Sequence, residues 1–211
     1  MASTPYSPDN AKFSQDAHAQ ARVLIYPRAF GVMPYQLSYE DVTGQDLRSR
    51  ALDGELGIDR IVKVAVDHLY LPIEFTVQER FRRIDKVGWR DITITEWNLL
   101  SDTKSEMYKI KADYFVYGYY DDRERRFAGE SIMVNVPAFK KKLTDREWKQ
   151  VIENGRQENP RSSQTFIGFK FDDLLKSGVV EWYINWTEVT GKSPRRVLTL
   201  FDTDAYTGVA P

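Results

Sequence analysis

The stretch Leu71-Pro72-Ile73-Glu74-Phe75-Thr76-Val77-Gln78-Glu79-Arg80-Phe81-Arg82-Arg83 constrains the fold more than any other part of the chain. Side chains on an extended strand alternate between two faces. Here Ile73, Phe75, Val77 and Phe81 share one face, while Glu74, Thr76, Gln78, Arg80 and Arg82 share the other. A sheet with one apolar and one polar face follows. Glu79 breaks the pattern, because alternation buries it among Phe75, Val77 and Phe81. An acid in that position needs a partner or a local bulge.

The flanking sequence extends the sheet. Ile58 to Val66 is rich in β-branched residues, Asp67-His68 reads as a turn, and Arg90 to Asn98 reads as a third strand after a turn at Asp85–Gly88. These three strands are expected to form an antiparallel meander. Ala112 to Asp121 is the most aromatic stretch and reads as a buried strand, with Ser131 to Val136 pairing back on it. Its tyrosines read as packing residues rather than a platform for bases. Thr165 to Lys170, Val179 to Trp186 and Val197 to Phe201 are further strand candidates.

Helical patterns lie between the strands. Ser14 to Tyr26 is Ala-rich, with Ser14 as an expected N-cap and Pro27 as a stop. Gln45 to Leu56 reads as a short helix leading to Gly57. Thr103 and Glu106 have capping-box spacing, as do Thr144 and Glu147, the latter with Leu143 and Trp148 as a hydrophobic staple. Pro137 to Leu143 reads as a basic connector, Asn154 to Ser163 as a loop, and Phe171 to Gly178 as a helical turn. The expected class is α/β, with α+β as the variant: a central mixed sheet flanked by helices in one domain over residues 1–211, residues 1–12 forming a flexible arm.

Composition narrows the chemistry. The chain has no cysteine, which excludes disulfides, thiolate metal sites and cysteine nucleophiles and fits a cytoplasmic protein. Its first residues show neither a basic start nor an apolar stretch, so no signal peptide is expected, and no membrane span is visible. Its two histidines, His18 and His68, have no metal-type spacing. Any metal is then a hard cation held by oxygen ligands. The formal charge of −1 excludes a uniformly basic surface, but Arg80, Arg82, Arg83, Lys86 and Arg90 are locally concentrated. Lys140-Lys141-Lys142 is a second basic cluster. Glu106, Lys109 and Lys111 suit either a substrate groove or a solvated helix face.

Gly57-Ile58-Asp59 followed on the next strand by Val77-Gln78-Glu79-Arg80 resembles the restriction-endonuclease-like nuclease superfamily, whose pattern is PD-(D/E)xK. Residues 45–136 would form the nuclease core. The resemblance implies that Asp59 is the metal-binding acid, that Gln78 stands where a Glu is usual, and that Arg80 stands for the Lys. Those three are the expected catalytic residues; Asp59, Gln78 and Glu79 are the expected ligands of magnesium or manganese. Arg82, Arg83 and Lys86 are expected to hold DNA phosphates, and a homodimer is implied. Glu74 with Thr76 gives an alternative register. Gly57-Ile58 in place of the usual Pro, the uncharged Gln78 and Arg80 are departures. They leave open a non-catalytic nucleic-acid-binding or accessory protein, or a structural protein that uses the polar strand face as an interface.

Overall fold

The computed structural model describes residues 8–42, 52–53, 56–66, 69–159 and 163–187. The expected helix over 45–56, the turn at Asp67-His68 and the strand at 197–201 lie wholly or largely outside these residues, as does most of the expected N-terminal arm. Residues 8–12, counted with that arm, are helical instead: α1 spans Pro8–Leu24. It starts six residues before Ser14. A second helix, α2 (Tyr26–Phe30), carries Pro27 in its first turn, where a missing N–H costs nothing.

The fold is α/β. Among the described residues, ten strands form two sheets. The first has the order β1 (Leu37–Asp41), β2 (Arg60–Val64), β3 (Ile73–Arg83), β6 (Tyr114–Asp121), β7 (Arg126–Asn135), β10 (Val180–Asn185). The second has the order β5 (Thr103–Lys104), β4 (Asp91–Asn98), β9 (Gln164–Lys170), β8 (Arg156–Asn159). All pairings are antiparallel except β3 with β6, which run parallel from Val77↔Tyr114 to Arg83↔Tyr120.

That parallel pair overturns the expected three-strand meander. β2 and β3 do form a hairpin in the expected register, but β4 leaves the sheet and pairs with β5 and β9. Parallel neighbours need a crossover connection. Residues 84–113 provide it, building a 3₁₀ turn at Ile84–Trp89, β4, β5 and the short helix α3 (Glu106–Lys109).

β6 is buried on both faces, which is why its residues are nearly all aromatic or β-branched. Tyr114, Val116 and Tyr120 pack with Ala17, Ala21, Ile25 and Phe30 of α1 and α2. Phe115, Tyr117 and Tyr119 pack toward the second sheet, with Ile92, Ile167, Phe169 and Phe171. Helices α4 (Val136–Lys142), α5 (Trp148–Gly155) and α6 (Phe171–Ser177) complete that second layer.

The basic connector is therefore α4, capped by Asn135, whose side chain accepts from Ala138 N. Neither expected capping box forms. Thr144 Oγ1 donates to Lys141 O, and the helix begins only at Trp148; Ser105, not Thr103, precedes α3. Trp148 is buried as the staple requires. Among the described residues no helix is long and apolar enough to cross a membrane.

Phe169 is fully buried, with ring centroids of Phe139 and Trp148 at 5.0 and 5.8 Å. Phe169→Ala is expected to cost about 3–5 kcal/mol of unfolding free energy, read from urea titration, because the aromatic layer cannot collapse onto the cavity.

Candidate functional site

Glu79 confirms the anomaly in the strand pattern. Its side chain is fully buried, and it faces α1 and α2. Oε1 accepts from the Tyr26 hydroxyl. Oε2 accepts from Arg60 Nε and Nη2 at 3.1 and 2.9 Å and lies 2.6 Å from His18 Nδ1. An ionised carboxylate only accepts, so His18 Nδ1 carries the proton. Burial pushes Glu79 up, but the His18 hydrogen bond and the Arg60 guanidinium more than offset this and hold it below the usual carboxylate range. Burial likewise drives the Tyr26 hydroxyl well above its ordinary range. Arg60 also pairs with Asp41, which accepts from Arg22 at 2.5 Å.

Asp59 sits at the edge of this network. β2 reaches only Arg60, opposite Val77, while β3 runs on to Arg83. Beyond Val77 the β2 side of β3 has no strand to pair with. Asp59 fills the gap: its N–H donates to Val77 O at 2.9 Å, and Oδ2 accepts from Glu79 N at 2.7 Å. With His18, Arg22, Asp41, Arg60 and Glu79 it lines a cleft of roughly 460 Å³. Burial raises its carboxyl to about 6, against the pull of the Glu79 N–H.

Gln78 lies on the other face of β3, toward the second sheet. Its Oε1 is buried with no hydrogen-bond partner among the described residues. A methyl group at Gly57, where φ is +60°, would come to 3.1 Å from that oxygen. Leu56 and Lys111 are tied beside it by a 2.8 Å hydrogen bond from Lys111 N to Leu56 O. Thus Gly57, Asp59, Gln78 and Lys111 meet at one strand end.

The remaining expected site residues are otherwise engaged. Arg80 donates to both Glu106 oxygens at 2.8 and 2.7 Å and to Thr93 O at 2.6 Å. Arg82 bonds Thr93 and Asp91, Arg83 pairs with Asp122, and Lys86 with Asp85 at 2.9 Å. The phosphate-holding role expected of Arg82, Arg83 and Lys86 would therefore draw on side chains that each already have a carboxylate partner. Glu79, expected as a metal ligand, has both oxygens engaged by four donor atoms, two of them from the Arg60 guanidinium. Among the described residues, no three carboxylate or imidazole groups gather to hold a metal ion.

His18, Tyr26, Arg60 and Asp41 were not visible as site residues in the sequence. The usable signal was the inward acid at 79, together with His18 and Arg22 at i, i+4 beside the small buried Ala17 and Ala21. No protein-family model matches the chain, and no curated protein matches it significantly.

Two outcomes follow for stability. Glu79→Ala strands the buried Arg60 guanidinium and is expected to cost about 3–5 kcal/mol in thermal or urea unfolding. Removing His18 as well should add little, so the double-mutant cycle reads strong coupling. Asp59 behaves in the opposite sense. Its folded carboxyl, raised to about 6 from an ordinary 3.8, binds protons better than the unfolded one, so the ionised form costs stability that is regained as pH falls from 6 toward 3.8. Asp59→Asn should therefore stabilise the protein by on the order of 2 kcal/mol at pH 8, and the gain should vanish near pH 4.

Proposed function

We propose that the chain is a metal-dependent nuclease that hydrolyses DNA phosphodiester bonds, a variant of the restriction-endonuclease-like type centred on Asp59 and Gln78. One observation carries the reading. Asp59, just before β2, and Gln78, on β3, follow directly on the Arg60↔Val77 pair, and both hold under-satisfied oxygen. One is a desolvated carboxylate with a single N–H on Oδ2; the other is a buried carbonyl oxygen with no donor among the described residues. Leaving such groups unpaired is costly, and each is an oxygen donor of the kind a hard cation takes.

The donor set suits magnesium. That ion keeps several waters and is held by one or two carboxylates together with substrate phosphates. When bound it would polarise the phosphodiester and make water a better nucleophile. The chain's own residues supply the rest. Asp59 is ionised above about pH 6 and fixed by the Glu79 N–H. Gln78 is held at its depth by the close approach of Gly57. Arg80 is locked by Glu106 and Thr93, so it orders the strand seam and contributes a fixed, partly neutralised charge.

A second reading, a nucleic-acid-binding protein without catalysis, is favoured by that same Arg80–Glu106 pair and by the lack of a third carboxylate among the described residues. Incubation of the full chain with linear, branched and single-stranded DNA separates them. Cleavage is expected with magnesium or manganese and not with chelator. Asp59→Asn and Gln78→Ala should each lower the rate at least about 100-fold. DNA left intact by the unaltered chain under all conditions selects the second reading, and full activity in Asp59→Asn moves the site elsewhere.

A further inference from the structure

The arginines of β3 have carboxylate partners, but the lysines around α3 do not. Lys104, Lys109, Lys111, Lys140 and Lys141 make no ion pair with a described residue. The acids nearest in sequence are committed elsewhere: Glu106 to Arg80, Glu96 to Arg156, Asp102 to the Trp97 indole, Asp113 to Thr76, and Asp145 to Lys142. Four of the five lysines are exposed, and Lys140 is part-buried. Lys140 is pushed below the ordinary lysine range by burial and by the charge of Lys111. Mutual repulsion of two cations that have no ion-pair partner among the described residues is a stored attraction for a phosphate.

An aromatic ring belongs to this cluster. Tyr108 of α3 is 41% exposed. The Lys104 ammonium lies 5.0 Å from its ring centroid, and Lys140 Nζ donates to its backbone oxygen at 3.3 Å. Exposed tyrosines are unremarkable singly, but a tyrosine beside lysines that have no ion-pair partner among the described residues has the make-up of a single-strand site: cations track the backbone while a base stacks on the ring. A duplex presents no free base face to such a ring.

We infer that the α3 surface, with Tyr108 at its centre and Lys104, Lys109, Lys111 and Lys140 around it, binds single-stranded nucleic acid next to the Gly57–Gln78 strand end. The inference rests on the nuclease reading for its biological meaning, since the Lys111 N–H to Leu56 O bond puts this surface beside Asp59 and Gln78. It names the substrate: an unpaired strand, or the unpaired arm of a branched one. One side of the strand end carries the under-satisfied oxygens, and the other carries uncompensated positive charge.

Binding is measured without catalysis, by fluorescence anisotropy of a labelled 20-nucleotide thymidine strand and a duplex of the same length, in chelator. The full chain is expected to bind the single strand at least about tenfold more tightly. Lys111→Ala with Lys140→Ala should flatten the slope of log affinity against log salt by about 1.4, the value for two phosphates on a single strand. Tyr108→Ala should lose about tenfold on the single strand and little on the duplex, while Tyr108→Phe keeps the affinity because the ring remains. Circular dichroism and the melting curve of each variant separate lost binding from lost fold. Absence of binding, equal affinity for the two forms, or an unchanged Tyr108→Ala in a folded protein overturns the inference. Single-strand binding without cleavage under magnesium or manganese sinks the nuclease reading and leaves this surface standing.

Discussion

The carboxylate of Glu79 is the constraint that most of the first layer answers to. A buried ion is tolerated only when its lone pairs are filled. Strand alternation gives Glu79 no alternative to the inner face, where Val77 and Phe81 also point. The donors therefore have to come to it, and they arrive from three elements: His18 on α1, Tyr26 on α2 and Arg60 on β2. Apolar contact alone leaves a helix free to slide along a sheet, whereas hydrogen bonds to one fixed carboxylate fix its register. The same backbone residue then holds Asp59 through its N–H. The packing of α1 and the placement of the candidate site are thus consequences of one buried acid.

On the opposite face of β3 the controlling fact is the parallel step to β6. It obliges residues 84–113 to travel away and return, and the second sheet is what they build on the way. The polar face of β3 is consequently an internal seam rather than a wet surface. Arg80 and Arg82 meet Thr93, Asp91 and Glu106 from that excursion. Charge that looks available for DNA in the primary sequence is spent joining two sheets. The same excursion brings residues 104–111 beside Lys140 at the start of β6, gathering lysines that are far apart in the chain.

Local pattern was enough to read the elements whose signals are local. β3, β6, β7, β9 and α6 with its left-handed Gly178 lie close to where alternation, aromatic content and a glycine stop place them. Pairing was not legible, since nothing in Arg90 to Asn98 says that its partner is β9, about seventy residues on. The capping boxes failed for a related reason. Spacing of Thr and Glu is necessary for the motif, but the chain after α4 turns through Thr144 instead of entering a helix there. At the site, Glu79 announced itself as an acid on an apolar face. Arg60 and His18 did not, because a charge in a β-branched run and a histidine in an Ala-rich helix are each unexceptional until the acid they serve is placed.

The contrast between adjacent residues of β3 locates the chemistry. At Glu79 the fold supplies a donor for every demand, and the carboxyl is held low in a fully buried position. At Gln78 the described residues supply none, and at Asp59 burial outweighs the one donor present, so the carboxyl rises. A chain able to assemble four donor atoms around one oxygen pair is under no steric compulsion to leave the neighbouring oxygens short. That shortfall, beside so complete a solution, is what the proposed ligand role of Asp59 and Gln78 rests on. Under the nuclease proposal, the oxygens of Asp59 and Gln78 and the lysines around α3 would serve complementary demands of a metal-bound phosphodiester.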